Sequence, residues 1–284
     1  MIKLVAFVDG SAFSKSVCEL AAWVAKRTNG NIDIVHVLEP NPNAGKVTDL
    51  SGSIGLGART ALLSELAELD AQMAKLSHQR GRAILEDAKN ILIAEGVDEV
   101  STFLRNEGIV EAAQNFETDA DLMVIGKRGE GSESNDEHPG SSLERVVRAS
   151  HRPVMVASRE FKPIQRVLIA FDGGPSALKA VSYLAQNPAF SDLDCHLLSV
   201  TSPTQRAKTR LEEAAVSLRA SGYTIETSLE QGQAEVVITE KLKSLEIDLL
   251  LMGAYGHSRI RNLIIGSTTT AMLSACRIPV LLFR

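Results

Sequence analysis

The 284-residue sequence says the same thing twice, and that repeat restricts the fold more than any other feature. An apolar run ended by Asp-Gly, Lys3-Leu4-Val5-Ala6-Phe7-Val8-Asp9-Gly10, returns as Arg166-Val167-Leu168-Ile169-Ala170-Phe171-Asp172-Gly173. A closing run, Pro153-Val154-Met155-Val156-Ala157, returns as Pro279-Val280-Leu281-Leu282-Phe283. Pro153 stands thirteen positions after Gly140, and Pro279 stands the same number after Gly266. Two copies of one domain follow, which also suits a chain too long for one small domain. Pro163 and charged residues interrupt the apolar pattern between Arg159 and Ile164. The domains are therefore set at 1–158 and 164–284.

Each copy alternates short apolar runs with stretches of helical spacing. Strands joined through helices form parallel sheets by right-handed crossovers. In the first copy, strands fall at Lys3–Val8, Ile32–Leu38, Val100–Leu104, Asp121–Ile125 and Pro153–Ala157. Ser11 or Ser14 is placed to cap the first helix. A long helix, about Ala58 to Ala94, carries Leu62, Leu66, Leu69, Met73, Leu76, Ile84, Ala88 and Ile91 as an apolar stripe, with Gly81 as a place to bend. That helix and the loop before it account for most of the extra length of the first copy: Asp9 lies 117 residues before Gly126, but Asp172 only 81 before Gly253. The fold class is α/β, with two Rossmann-like doubly wound domains of five parallel strands. Strand order 3-2-1-4-5 is taken as the working assumption, because hydrophobicity does not encode which strands are neighbours.

Doubly wound sheets bind ligands beyond the carboxyl ends of their strands, where the winding direction reverses. With the assumed order, that point lies between the first and fourth strands. In the second copy it brings Asp172 opposite Gly253-Ala254-Tyr255-Gly256, which nine intervening residues separate from Gly266-Ser267-Thr268. A strand, a glycine turn and a hydroxyl-rich helix start make a place to hold phosphate. Glycine permits close backbone approach, and a helix start offers unpaired N–H groups and a positive dipole end.

These residues resemble the universal stress protein (UspA-like) family, with two domains in tandem over nearly the whole chain. The resemblance rests on Val-Leu-Ile-Ala-Phe-Asp-Gly ending at Gly173, the Gly-x2-Gly-x9-Gly-Ser/Thr pattern from Gly253 to Ser267, and Arg277-Ile278-Pro279-Val280-Leu281-Leu282. It implies adenine nucleotide as ligand (ATP or AMP, with Mg2+ for the triphosphate) at Asp172, Gly253, Gly256, Gly266, Ser267 and Thr268. It also implies that the two fifth strands pair and join the repeats as a pseudo-dimer. A further homodimer is left open. The role implied is a stress-response regulator rather than an efficient enzyme, since no general base stands out.

The first copy departs from the pattern. Gly126-Lys127-Arg128-Gly129 begins it, but ten residues precede Gly140-Ser141-Ser142, and four of them are carboxylates: Glu130, Glu133, Asp136 and Glu137. Like charges there disfavour phosphate unless a metal intervenes. Asp9, Gly126, Gly129, Gly140 and Ser141 are kept as a second candidate site, and the C-terminal copy is preferred.

Plain readings stand beside these. Asp-Gly commonly opens turns, and Ser and Thr commonly cap helices. His257, Arg259 and Arg261 suit a solvated loop, and Lys127 and Arg128 suit charge balance against the acidic loop. Gly52, Gly55 and Gly57 do not follow a strand in the order of a dinucleotide fingerprint, and Asn43 to Val47 lacks the glycine and hydroxyl of a P-loop. The six histidines lack metal-ligand spacing, and the three cysteines lack a CxxC pair. A net charge of −5 argues against nucleic acid, and no apolar run is long enough to span a membrane. Cytoplasmic location is the expectation. Two alternatives stay open: an interaction scaffold without nucleotide, using the acidic loop and the long helix, and an enzyme that hydrolyses nucleotide or transfers adenylate. The latter ranks last, since no HxGH-type signature follows the first strand.

Overall fold

A computed structural model describes residues 2–39, 56–130, 140–254 and 266–284. The first half runs β1 (Lys3–Phe7), α1 (Ser14–Thr28), β2 (Asn31–Val37), α2 (Leu56–Ala94), β3 (Val100–Arg105), α3 (Ile109–Glu117), β4 (Leu122–Gly126), α4 (Ser141–Ala149) and β5 (Val154–Ala157). The second runs β6 (Arg166–Ala170), α5 (Pro175–Gln186), a 3-10 turn (Pro188–Phe190), β7 (Asp194–Val200), α6 (Gln205–Ala220), β8 (Ile225–Glu230), α7 (Ala234–Ser244), β9 (Leu249–Gly253), α8 (Ser267–Ala275) and β10 (Val280–Phe283).

Among the described residues these strands form one ten-stranded sheet, ordered β3-β2-β1-β4-β5-β10-β9-β6-β7-β8. Each half has the 3-2-1-4-5 order, and its own strands are parallel. The halves meet where β5 and β10 run antiparallel, with Val154, Met155 and Val156 opposite Leu282, Leu281 and Val280. These strands are apolar throughout and all their residues are buried, as expected of strands covered on both faces.

Strand alternation sends side chains to two cores. Leu4, Ala6, Ile32 and Ile34 join α1, α2, α5 and α6 on one face; Val5, Phe7 and Val35 join α3, α4, α7 and α8 on the other. Both cores continue across the junction between halves. Trp23 of α1 meets Phe190 of the second half at 6.1 Å between ring centroids, and the Arg27 guanidinium donates to the carbonyls of Ala189 and Ser191.

Three local readings change. The residue before α1 is Phe13, with no side-chain cap; neither Ser11 nor Ser14 fills that role. The Ser14 hydroxyl oxygen accepts from the Asp9 and Gly10 N–H groups instead, tying the helix to the end of β1. Gly81 is a point of close packing: a Cβ there would stand 2.7 Å from Leu104 Cδ1 and 2.9 Å from His36 Cδ2. And the long stripe on α2 is not one core face. Leu85, Ala88 and Leu92 are buried against the sheet, but Leu62, Leu66, Leu69, Met73 and Leu76 are exposed.

Candidate functional site

Each half has a crevice beyond the carboxyl ends of its first and fourth strands, where the assumed order put it. Register aligns Ala170 with Met252, and Phe7 with Ile125, so Asp172 and Asp9 emerge beside the glycine turns that follow β9 and β4.

The C-terminal crevice encloses about 340 Å³. Asp172, Gly253, Gly266, Ser267 and Thr268 line it together; Gly256 lies outside the described residues, as do His257, Arg259 and Arg261. Its remaining wall is apolar, with Phe171, Leu198, Val200, Ile238 and Met252. Asp172 is exposed, and its carboxylate accepts the Gly174 N–H at 2.7 Å. Gly253 has no room for a side chain, since a Cβ would lie 2.9 Å from Ser176 Cβ. The Gly266 N–H donates to the Ala254 carbonyl at 3.1 Å, holding the start of α8 beside the end of β9.

Gly266 precedes α8 without a side-chain cap, and the first turn holds no acidic residue. The N–H groups of that turn have no partner within the helix, and the positive end of its dipole faces the crevice. The three hydroxyls that follow Gly266 have different surroundings. Ser267 is exposed and Thr268 half-buried, and both reach the crevice. Thr269 is buried, and its hydroxyl donates to the Gly253 carbonyl at 3.1 Å. Sequence reasoning missed this residue. Its signal was the third hydroxyl of Ser267-Thr268-Thr269, one helical step from the pair chosen.

The N-terminal crevice is larger, about 430 Å³. Asp9, Gly126, Gly129 and Gly140 line it, as do Ser77, Arg80 and Ile84 of α2. Ser141 is exposed, and Ser142 lines the crevice in its place. Asp9 is bound from three sides. One carboxylate oxygen accepts the Ser11 N–H at 3.0 Å and the Ser14 hydroxyl at 3.2 Å. The other reaches across the crevice and accepts the Glu130 N–H at 2.9 Å. Gly129 allows that approach, because a Cβ there would stand 2.8 Å from the same oxygen. The Arg80 guanidinium of α2 then pairs with the Glu130 carboxylate. Of the four loop carboxylates, Glu133, Asp136 and Glu137 lie outside the described residues, and Glu144 stands in the first turn of α4.

Lys127 does more than balance charge. Its ammonium donates to the carbonyls of Ser274, at 2.8 Å, and Cys276, at 3.0 Å, at the C-terminal end of α8. A cation there complements the negative end of the helix. Burial raises the Cys276 thiol to about 11, against the opposing pull of Lys127. Arg284 makes a reciprocal contact, donating to the Arg148 carbonyl in the last turn of α4 at 2.7 Å. Among the described residues no group of three His, Cys, Asp or Glu side chains is arranged to hold a metal.

Two doubly wound units in tandem, each with a glycine turn leading into a helix at its switch point, define a class of α/β protein with paired ligand crevices. The chain belongs to the universal stress protein family, whose model matches residues 1–158 and 163–284. It is 38% identical over 279 residues to universal stress protein Slr1230 of Synechocystis, covering 97% of each chain. Universal stress protein Rv1996 of Mycobacterium tuberculosis is 25% identical over 311 residues, spanning 99% of this chain and 94% of the relative. The crystal structure of a universal stress protein from Archaeoglobus fulgidus matches the fold with a TM-score of 0.71 at 19% identity, covering 99% of this chain and 98% of that one.

Proposed function

We propose that the C-terminal half binds an adenine nucleotide, ATP or AMP, and that the protein acts as a stress-response regulator through the bound state. The observation that carries this reading is the open start of α8: an uncapped helix end with no acid in its first turn, beside Ser267 and Thr268 and across from Asp172. The crevice volume falls in the range of small-molecule sites, about 300–1,000 Å³. Its apolar wall suits a base, and its glycine and hydroxyl side suits phosphates. Mg2+ would be held chiefly by the phosphates of a triphosphate, as that ion usually is. Asp172 and Ser267, which line the crevice, would supply oxygens to its waters. We assign the N-terminal crevice a lower affinity, since Asp9 already takes the N–H of Glu130, which follows its glycine turn.

The two halves act together as a pseudo-dimer through β5 and β10, and the protein works in the cytoplasm, where its free, buried cysteines stay reduced. Among the described residues no helix is long and apolar enough to cross a membrane. Nucleotide that binds only the folded protein stabilises it by mass action, about 2.7 kcal/mol at a hundred times Kd. Thermal unfolding with millimolar ATP and Mg2+, and separately with AMP, tests the assignment. A rise of about 5 °C or more is expected. No rise with either nucleotide, together with no adenine released from the denatured protein, overturns it.

A further inference from the structure

The start of α8 faces the C-terminal crevice, but its far end is held by the other half of the chain. The helix has nine residues and buries three of them, Thr269, Met272 and Leu273. It is about 13 Å long at the usual rise per residue. Near its start the Gly266 N–H and the Thr269 hydroxyl tie it to the carbonyls of Ala254 and Gly253. At its end the carbonyls of the last turn have no partner within the helix. The Lys127 ammonium donates to two carbonyls there, those of Ser274 and Cys276.

Lys127 is itself fixed in the N-terminal glycine turn. Its N–H donates to the Ala157 carbonyl at the end of β5, at 3.1 Å. Its carbonyl accepts the Gly140 N–H just before α4, also at 3.1 Å. Its neighbours Gly126, Arg128 and Gly129 line the N-terminal crevice. A backbone bonded on both sides gives the ammonium a fixed base from which to hold α8. The repeat sets Ala254 where the first half has Lys127, and a methyl group cannot return the contact to α4. Arg284, which donates to the Arg148 carbonyl in the last turn of α4, comes from beyond β10 instead.

We propose, on the nucleotide reading of the C-terminal crevice, that Lys127 is a positioning residue for that site. Its hold on the last turn of α8 sets where the first turn, with Ser267 and Thr268, stands at the crevice. Lys127 does not line the C-terminal crevice, so its effect passes through the helix. A helix is a rigid element, and freeing one end lets the other tilt. Nucleotide would then have to order a helix start that Lys127 otherwise keeps in place, and that ordering is taken from the affinity.

Titration calorimetry of the full chain with ATP and Mg2+ tests this, beside amide hydrogen exchange of the nucleotide-free protein. Lys127→Met keeps the stem and drops the charge, and should weaken ATP binding roughly three- to tenfold. It should also speed exchange at the amides of residues 270–276, while those of α4 and α5 exchange as in the wild type. Lys127→Arg keeps a cation with several donors and should retain both wild-type values. Arg284→Met frees the end of α4, on the other side of the junction, and should leave ATP affinity unchanged. A Lys127→Met variant that binds ATP as the wild type does overturns the proposal. So does exchange that rises evenly through both halves, which marks a general loss of stability, or an Arg284→Met variant that weakens ATP as much. A wild type that binds no nucleotide overturns the nucleotide reading, and this role with it. A wild type that binds, beside a Lys127→Met variant that binds equally well, overturns the role alone.

Discussion

The two crevices occupy equivalent places in one sheet, yet they are closed differently. In the N-terminal half the first-strand aspartate spans the gap. Asp9 accepts from Ser11, Ser14 and Glu130, and Arg80 of the inserted helix holds Glu130 from outside. In the C-terminal half Asp172 is exposed, and Thr269 anchors the turn from below through the Gly253 carbonyl. The fold decides where an aspartate and a glycine turn meet. A few side chains decide how that turn is held.

The largest effect that would break the comparison comes from the glycines. Gly253→Val forces a side chain onto Ser176 and should remove any nucleotide-dependent rise in melting temperature, with a loss of about 1–3 kcal/mol from overpacking. Gly129→Val pushes against Asp9 and should destabilise the protein similarly, yet leave the nucleotide response intact. Urea unfolding combined with nucleotide titration separates the two. If Gly129→Val alone abolishes the response, the roles of the crevices are reversed.

Asp9→Ala removes a carboxylate with three hydrogen-bond donors and should lower stability by about 2–3 kcal/mol in urea unfolding. Asp172→Ala should cost about 1 kcal/mol or less, with its main effect on nucleotide affinity. Equal losses would erase the distinction. Thr269→Val keeps the shape but drops the hydroxyl, leaving the Gly253 carbonyl short of a donor. The expected loss is about 1–2 kcal/mol, together with weaker nucleotide binding measured by calorimetry. Arg80→Ala should be nearly silent in unfolding, below about 1 kcal/mol, because both partners of its ion pair are more than half exposed. A larger loss would show that the inserted helix, rather than Asp9, closes the N-terminal crevice.

Much of this molecule was legible in its sequence. The repeat, the alternation of strands and helices, and the apolar closing strands at Val154 and Val280 set the architecture, because sheets buried on both faces need continuous apolar runs. The meeting of Asp172 with Gly253 and Gly266 followed once the strand order was assumed. What escaped were contacts between residues far apart in the chain. Lys127 sits in a loop beside carboxylates, and nothing nearby in sequence points to the carbonyls of Ser274 and Cys276. Thr269 hides behind two hydroxyls of the same type. The stripe on α2 was read as one line because Leu76 and Ile84 both fit helical spacing; the change of face depends on where Gly81 touches β2 and β3.

The antiparallel pairing of β5 with β10 has a consequence for dilution. Two separate chains joined by such a pair of four-residue strands would part as their concentration fell. Here the few residues between Ala157 and Arg166 act as a tether, and each strand meets its partner at an effective concentration of the order of millimolar. The junction therefore persists in a single molecule however few copies surround it. The Lys127 and Arg284 contacts, which complete helix ends on opposite sides of it, are free of mass action as well.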